Sequence, residues 1–275
     1  MLYSTFCHIP GIGYSTEKKL WNEGIDSWQR LLECRDRISR VSPHEIENVL
    51  HLSAEALAAD NPTYFTQNLK TRDSWRLFPH FRHVTCFLDI ETSGLREDAE
   101  ITTIALYDGE QVRTYINGEN LEDFLNDVDQ FKVMVTYNGI SFDVPFIERH
   151  FRTRLTQAQL DLRFILAQLG FRGGLKGCEK LAGINRGTLD GIDGAFAVLL
   201  WREFERYNDR RALETLLAYN IEDTVNLERL LVEAYNRNIR LLEREPSLEL
   251  DYPNPPPLLY VPDLETVRKI KQANY

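Results

Sequence analysis

The sequence FLDIETSGL at residues 87–95 carries the strongest structural signal in the chain. It continues an apolar run that starts at Val84, which predicts a buried strand ending in two carboxylates. Side chains two residues apart on a strand point to the same face, so Asp89 and Glu91 should project together. Buried like charges repel each other, and a cation between them removes that repulsion; oxygen-only ligands suit Mg²⁺ or Mn²⁺. A solvated strand end with two exposed acids is the alternative, because so short a motif also occurs by chance.

Length and composition limit the class of protein. A chain of 275 residues with 43% hydrophobic residues can form one large domain, or one domain with a small appendage. A net charge of −10 argues against non-specific coating of duplex DNA but allows an enzyme with a local basic patch. The four cysteines form no C-x-x-C pair, so neither a zinc knuckle nor a disulfide framework is indicated. With no apolar span or signal peptide in the sequence, we expect a soluble, cytoplasmic protein that does not bind membranes.

From His83 onward, strands alternate with helices. Asp108-Gly109 is a strong hairpin signal between two of the strands. The order predicts an α/β domain over residues 83–242, with a mixed sheet of three antiparallel strands plus parallel strands, flanked by helices. The predicted strands are 83–90, 100–107, 111–116 and 132–136, and the predicted helices are 121–128, 144–151, 163–169, 175–182, 194–207, 210–219 and 221–242, the last two being compatible with one continuous helix.

Residues 1–75 form a small helical region by sequence, either separable or packed on the following domain. Its HIPGIG segment at residues 8–13 resembles the second half of a helix-hairpin-helix unit, in which the backbone at Gly11 and Gly13 would contact a DNA phosphate. A glycine turn that caps a packed helix is the alternative. Residues 3–7 look like a strand, and Ser42-Pro43 predicts the start of a helix.

The last part of the chain, residues 243–275, differs in composition from the rest. The sequence YPNPPP at residues 252–257 is incompatible with a helix or a central strand. We therefore expect an extended, proline-rich arm followed by a short helix from Asp263 to about Gln272.

Two further stretches place acids after the first motif. In VTYNGISFD, residues 135–143, a strand ends and Asp143 opens a helix, either as its N-cap or as a metal ligand. In YNIED, residues 219–223, Tyr219 and Asp223 are four residues apart on a predicted helix and share one face. A surface tyrosine beside a solvated aspartate is the alternative for that pair.

Taken together and in order, the three stretches resemble the three exonuclease motifs of the DEDD superfamily, which has a ribonuclease H-like fold. Asp89 and Glu91 match the first motif, Asp143 matches the second, and Tyr219 with Asp223 matches the third in its tyrosine form (DEDDy). The resemblance covers residues 83–235. It is strongest to a branch of bacterial and archaeal ribonuclease H-like proteins in which this domain follows a short helical region.

The resemblance implies a 3′–5′ exonuclease that hydrolyses single-stranded DNA or RNA from its 3′ end. It implies that Asp89, Glu91, Asp143 and Asp223 hold two Mg²⁺ or Mn²⁺ ions. Tyr219 would orient the attacking water, because a phenol with a pKa near about 10 is a poor base at neutral pH.

Nucleic-acid contacts are predicted beyond the three motifs. Asn138 would touch the sugar of the substrate or cap the strand end. Lys176, beside Gly173-Gly174, would contact phosphate or be an ordinary solvated charge.

Two other functions are compatible with the sequence. One is a non-catalytic nucleic-acid-binding module that uses the turn at Gly11 and Gly13. The other is a structure-selective endonuclease that uses the same metal ions.

Overall fold

A computed structural model of the chain describes residues 1–38, 41–96, 98–257 and 259–274. Within these residues, the chain is built on a five-stranded sheet. Its strands are β1 (Thr85–Thr92), β2 (Ile101–Tyr107), β3 (Val112–Ile116), β4 (Val133–Thr136) and β5 (Ala158–Asp161).

The strand order is β3-β2-β1-β4-β5, which places β1 at the centre of the sheet. β1 pairs antiparallel with β2, and β2 antiparallel with β3, whereas the β1–β4 and β4–β5 pairs are parallel. The predicted mixed sheet and α/β fold class are therefore confirmed. The predicted hairpin is also present: the Asp108 carboxylate accepts the backbone N–H groups of Glu110 and Gln111, at 2.9 and 2.8 Å.

The two faces of β1 pack against different helices. Cys86, Leu88 and Ile90 point to one face and share an apolar cluster with Phe124 and Ile147. The alternate residues point to the other face, towards the longest helix of the chain. The helices after β1 are α6 (Phe124–Val128), α7 (Asp143–Phe151), α8 (Leu162–Gln168), α9 (Gly174–Leu181), α10 (Gly194–Tyr207), α11 (Arg210–Leu241) and α12 (Leu264–Asn274).

The residues before β1 are helical, as predicted. Ser42 caps its helix by accepting the backbone N–H of Glu45 at 3.1 Å, with Pro43 at the first position. The α-helices of this region are Tyr14–Asn22, Trp28–Glu33, Pro43–Ala58, Pro62–Asn68 and Phe78–Phe81, labelled α1 to α5.

The prediction of a strand at residues 3–7 was wrong. Leu2–Ser4 forms a 3₁₀ turn instead. The backbone N–H groups of Phe6 and Cys7, which a strand would direct to a neighbouring strand, are donated to Oε1 of Glu17 at 2.6 and 3.0 Å. The buried Glu17 carboxylate therefore takes the place of the neighbouring strand that the sequence pattern implied.

The helices of the N-terminal region share one apolar core with the sheet. Phe65 and Phe78 belong to the same buried cluster as Phe87 of β1 and as residues 230–232 of α11. The boundaries predicted at residues 75 and 83 thus fall between parts of the chain that pack against each other, and they remain a prediction.

The helix α11 is continuous over the two segments for which the sequence allowed either one helix or two. The arm behind it returns along the helix, because the side chain of Asn236 bonds both the N–H and the carbonyl of Leu250. The short helix α12 then packs through Val267 and Ile270 on a cluster formed by α10 and α11. Of the helices described, none has the length and apolar character needed to cross a membrane.

Candidate active site

Three acids from distant parts of the chain meet at the end of β1. Asp89, Glu91 and Asp223 each offer a carboxylate oxygen, and these oxygens lie within 4.8 Å of one another. Asp89 and Glu91 share a face because they are two residues apart on β1. Asp223 comes from α11, which packs against β1 and β2. The three side chains form what we call the acid cluster.

Asn220 ties α11 to the strand that carries the acid cluster. Its Nδ2 donates to Oδ2 of Asp89 at 2.7 Å and to the Asp89 carbonyl at 3.1 Å. Its Oδ1 accepts the hydroxyl of Thr103 on β2 at 3.0 Å. Asn220 is fully buried, so these bonds fix the Asp89 carboxylate relative to both the helix and the sheet.

Asp143 lies at the edge of this arrangement. It is the first residue of α7, whose N-cap is Phe142, and its Oδ1 accepts the backbone N–H of Ile90 at 3.2 Å. The charge of its carboxylate raises the pKa values of Asp89 and Glu91, although Asp143 does not belong to the group within 4.8 Å. The structure therefore brings three of the four predicted metal ligands together and places the fourth beside them.

The turn that leads to Asp143 depends on Gly139. A Cβ atom at this position would lie 2.1 Å from Oγ1 of Thr136. Such an approach is possible only for glycine, so Gly139 allows the chain to turn from β4 into α7.

The acid cluster has an unusual electrostatic environment. Burial is the largest cause of the raised pKa values of Asp89, Glu91 and Asp223, and for Asp89 and Glu91 the neighbouring acids add to it. Burial also raises the pKa of Asp143 to about 7, against its backbone hydrogen bonds, which lower it. Acids in this state bind protons readily, and they would bind a divalent cation in place of the protons.

Tyr219 lies beside Asp223, one helical turn away on α11. Its side chain is buried and hydrogen-bonds to the Asp223 carboxylate. Burial and the surrounding acids raise the pKa of Tyr219 far above its usual range. The phenol therefore keeps its proton and acts as a hydrogen-bond donor.

A buried ion-pair network, which no sequence pattern predicts, lies behind Asp223. The Arg186 guanidinium contacts Oδ1 of Asp223 and also the Glu179 carboxylate, at 2.8 and 2.9 Å from Nη1. Asn226 of α11 donates to Glu179 at 2.8 Å. Neither Arg186 nor Glu179 belongs to a recognisable motif, so their meeting depends on how α9 and the following loop pack on α11.

Lys176 is half-buried next to the acid cluster. Its Nζ donates to the carbonyl of Ile192 and lies 4.8 Å from the centre of the Tyr219 ring. Burial lowers the pKa of Lys176, while the charge of Asp223 raises it. The alternative of an ordinary solvated charge was therefore wrong, and contact with phosphate remains a prediction.

The other predicted nucleic-acid contacts have local partners. Asn138 has a left-handed backbone (φ 68°); its N–H donates to Asp161, and its Oδ1 accepts Arg163 at 2.5 Å. Gly11 (φ 86°) and Gly13 form an exposed turn, and Gly13 is the N-cap of α1. In the described part of residues 1–38, the element before this turn is the 3₁₀ turn Leu2–Ser4, so the first helix of a helix-hairpin-helix unit is not formed there.

The acid cluster opens into a cavity of about 520 Å³. One wall carries Asp89, Glu91 and Asp223. The rest of the lining is largely apolar or aromatic and includes Ile90, Leu95, Tyr137, Phe142, Leu175, Ala195, Val198 and Tyr219. A cavity lined by both acids and apolar side chains can hold a cation together with an apolar group.

Comparison with known proteins assigns the family. A family model described as RNase_H superfamily matches residues 86–235, more than half of the chain. The chain belongs to the RNase H superfamily. The fold and the family together indicate a hydrolase that acts on nucleic acids.

Other comparisons add little. A search of curated proteins gives no match. Among solved structures, the chain is similar to the family B DNA polymerase from the hyperthermophilic archaeon Pyrobaculum calidifontis, with 16% identity and a TM-score of 0.41. The match covers 57% of this chain but 24% of the polymerase, so it spans a minor part of that protein.

Proposed function

We propose that the protein is a metal-dependent 3′–5′ exonuclease of the tyrosine subtype of the DEDD superfamily, acting on single-stranded DNA or RNA. The observation that carries the proposal is the meeting of Asp89, Glu91 and Asp223, with Tyr219 hydrogen-bonded to Asp223. These residues come from two elements more than 100 positions apart in the chain. A solvated strand end and a surface tyrosine would not produce this arrangement.

The acid cluster fits a divalent cation. Its donors are all carboxylate oxygens, which Mg²⁺ and Mn²⁺ prefer. Asp89, Glu91 and Asp223 would hold one ion, and Asp143 beside them would help to hold a second. Bound ions would supply an activated water and stabilise the charge that develops on the phosphate.

Side chains of the protein would position the attacking water and the substrate. The Tyr219 hydroxyl, kept protonated beside Asp223, would hold the attacking water by a hydrogen bond. Asn220 fixes the Asp89 carboxylate through its bond to Oδ2. The apolar side of the cavity, with Leu95 and Phe142, would pack against the terminal nucleoside and exclude water.

A degradation assay tests the proposal. Single strands of DNA and RNA labelled at the 5′ end should shorten stepwise from the 3′ end in Mg²⁺ or Mn²⁺, and should remain intact in EDTA. Asp89→Asn should lower the rate by about a thousandfold, which corresponds to a loss of about 4 kcal/mol of transition-state stabilisation. Asp129→Asn, which removes an exposed acid, is the matched control.

A circular single strand separates end-dependent from internal cutting. An exonuclease leaves the circle intact, since the circle has no 3′ end. Degradation of the circle, or full activity of Asp89→Asn, would contradict the proposal.

A further inference from the structure

Among the residues described, Arg186 is the basic residue that forms an ion pair with the acid cluster. One of its terminal nitrogens pairs with Oδ1 of Asp223, and the two side chains are only 6% and 8% exposed. Water therefore screens this pair little, so the attraction between the two charges is stronger than in a surface ion pair. The same Oδ1 belongs to a carboxylate that the proposed function assigns to a metal ion.

Arg186 does not depend on Asp223 for its position. Its Nη1 donates to both oxygens of Glu179, whose side chain is almost fully buried. Glu179 is held in turn by Asn226 of α11. A guanidinium clamped by Glu179 stays beside the acid cluster whether or not its other end is paired with Asp223.

We propose that Arg186 is a built-in counter-cation for Asp223, and that a divalent cation must displace the guanidinium from this carboxylate in order to bind there. The inference rests on the proposed function, because it concerns the metal site of that reaction. A guanidinium and a divalent cation on the same carboxylate repel each other and compete for its lone pairs, so the binding of one disfavours the other. Arg186 therefore stabilises the metal-free protein, lowers its affinity for the ion, and sets the metal concentration at which the site fills.

Lys176 provides the comparison that isolates this effect. Its charge also acts on Asp223 and Glu91, but its ammonium donates to the Ile192 carbonyl. Replacing Lys176 removes one positive charge beside the acid cluster without removing the guanidinium contact on Asp223. Any change in metal affinity that comes from the local field alone should therefore appear in Lys176→Gln as well.

The experiment is a Mn²⁺ titration of the metal-stripped, full-length protein, followed by calorimetry. Arg186→Gln should bind Mn²⁺ about tenfold more tightly than the unchanged protein, the factor expected when a competing charged hydrogen bond is removed. Lys176→Gln should change the Kd by no more than about threefold, as expected for a charge that lacks the contact. Arg206→Gln, at an exposed position on α10, controls for the loss of one charge from the protein.

Arg186→Lys guards against a variant that fails to fold. Lysine keeps a positive charge for Glu179 but cannot bridge two carboxylates as the planar guanidinium does. It should therefore also tighten Mn²⁺ binding, by less than Arg186→Gln. Without metal, the melting temperature of both Arg186 variants should fall, because Asp223 has lost its partner.

Three results would overturn the inference. If Lys176→Gln and Arg186→Gln tighten Mn²⁺ binding equally, the effect comes from the local electrostatic field and not from the guanidinium contact. If the Mn²⁺ affinity of Arg186→Gln is unchanged or weaker, Arg186 prepares Asp223 for the ion. Both results would leave the proposed exonuclease intact, provided that the unchanged protein still degrades single strands with Mn²⁺. Absence of Mn²⁺ binding to the unchanged protein would remove the proposed function and this inference together.

Discussion

Two buried charged clusters in this molecule are built in opposite ways. In the N-terminal region, Glu17 and Arg76 form an ion pair in which each side chain is 1% exposed, and Glu17 also accepts two backbone N–H groups. At the end of β1, three acids with raised pKa values lie within 4.8 Å of one another. The first cluster pairs its acid with a basic side chain, whereas in the second, among the residues described, the ion pair with Arg186 involves only one of the three acids, Asp223.

The difference separates a structural role from a functional one. A buried charge that supports the fold needs permanent partners, because burial without them costs several kcal/mol. A site that binds a cation needs the reverse, namely carboxylate oxygens whose burial becomes favourable only when the bound ion balances their charge. The N-terminal ion pair should therefore be essential for stability, and the acid cluster should cost stability until it is filled.

Substituting one acid of each cluster, with EDTA present to remove metal, tests this distinction and gives the largest expected change in the free energy of unfolding. Glu17→Gln should lower the free energy of unfolding by about 3–5 kcal/mol, because Arg76 is then a buried charge without a counter-charge. Asp89→Asn should leave the free energy unchanged or raise it, because it removes one of several repelling charges. Urea denaturation of both variants measures this, and a comparable loss in Asp89→Asn would contradict the distinction.

Metal addition should stabilise the protein through the acid cluster alone. Mn²⁺ at about 100 times its Kd should raise the free energy of unfolding by about 2.7 kcal/mol. The gain should vanish in Asp223→Asn and should be reversed by EDTA. Thermal unfolding with and without Mn²⁺ measures it; an equal gain in Asp223→Asn would place the ion elsewhere.

The pH dependence of the metal-free protein gives a smaller effect. The pKa of Asp143 is raised from 3.8 to about 7, so between these values the folded protein holds a proton that the unfolded chain has released. Stability contributed by that proton is present at low pH and is lost as the pH rises through about 7. Relative to Asp143→Asn, the unchanged protein should lose up to about 1.4 kcal/mol per pH unit in this window.

Urea unfolding in EDTA at pH 5.5, 6.5 and 7.5 measures that slope. Asp129→Asn, which removes an exposed acid, should follow the unchanged protein. If the slopes of all three proteins coincide, Asp143 is not the group that titrates in this window.

The smallest expected change in stability is that of Tyr219→Phe. It removes one hydrogen bond to Asp223, which is worth about 0.5–1.5 kcal/mol. Activity should fall by about tenfold to a hundredfold, since the hydroxyl positions water but does not bind the ion. Mn²⁺ affinity should be retained; a large loss of affinity would instead make Tyr219 part of the metal site.

Much of the fold was predictable because the signals were local. Apolar runs predicted the strands, the Asp108-Gly109 turn predicted the hairpin, and Ser42-Pro43 predicted a helix start. The spacing of Asp89 with Glu91, and of Tyr219 with Asp223, predicted a shared face in each case. Periodicity alone determines such faces, so these pairs were available from the sequence.

The rest depended on contacts between distant segments. Residues 3–7 have the composition of a strand, but the Glu17 carboxylate takes their N–H groups, and no local pattern shows this. Arg186 and Glu179 are ordinary charged residues by sequence. Asn220 adjoins the third motif and could have been singled out there, yet its bond to Asp89 depends on how α11 crosses β1.

The length of α11 bears on how this protein should be handled in the laboratory. Its first half carries Tyr219 and Asp223, while residues 230–239 farther along lie in the core shared with the N-terminal helices. A fragment that starts at residue 83 would lack the N-terminal helices and would expose the apolar side chains of residues 230–239 to water. Such a fragment should aggregate and precipitate, even though every acid of the cluster would still be present.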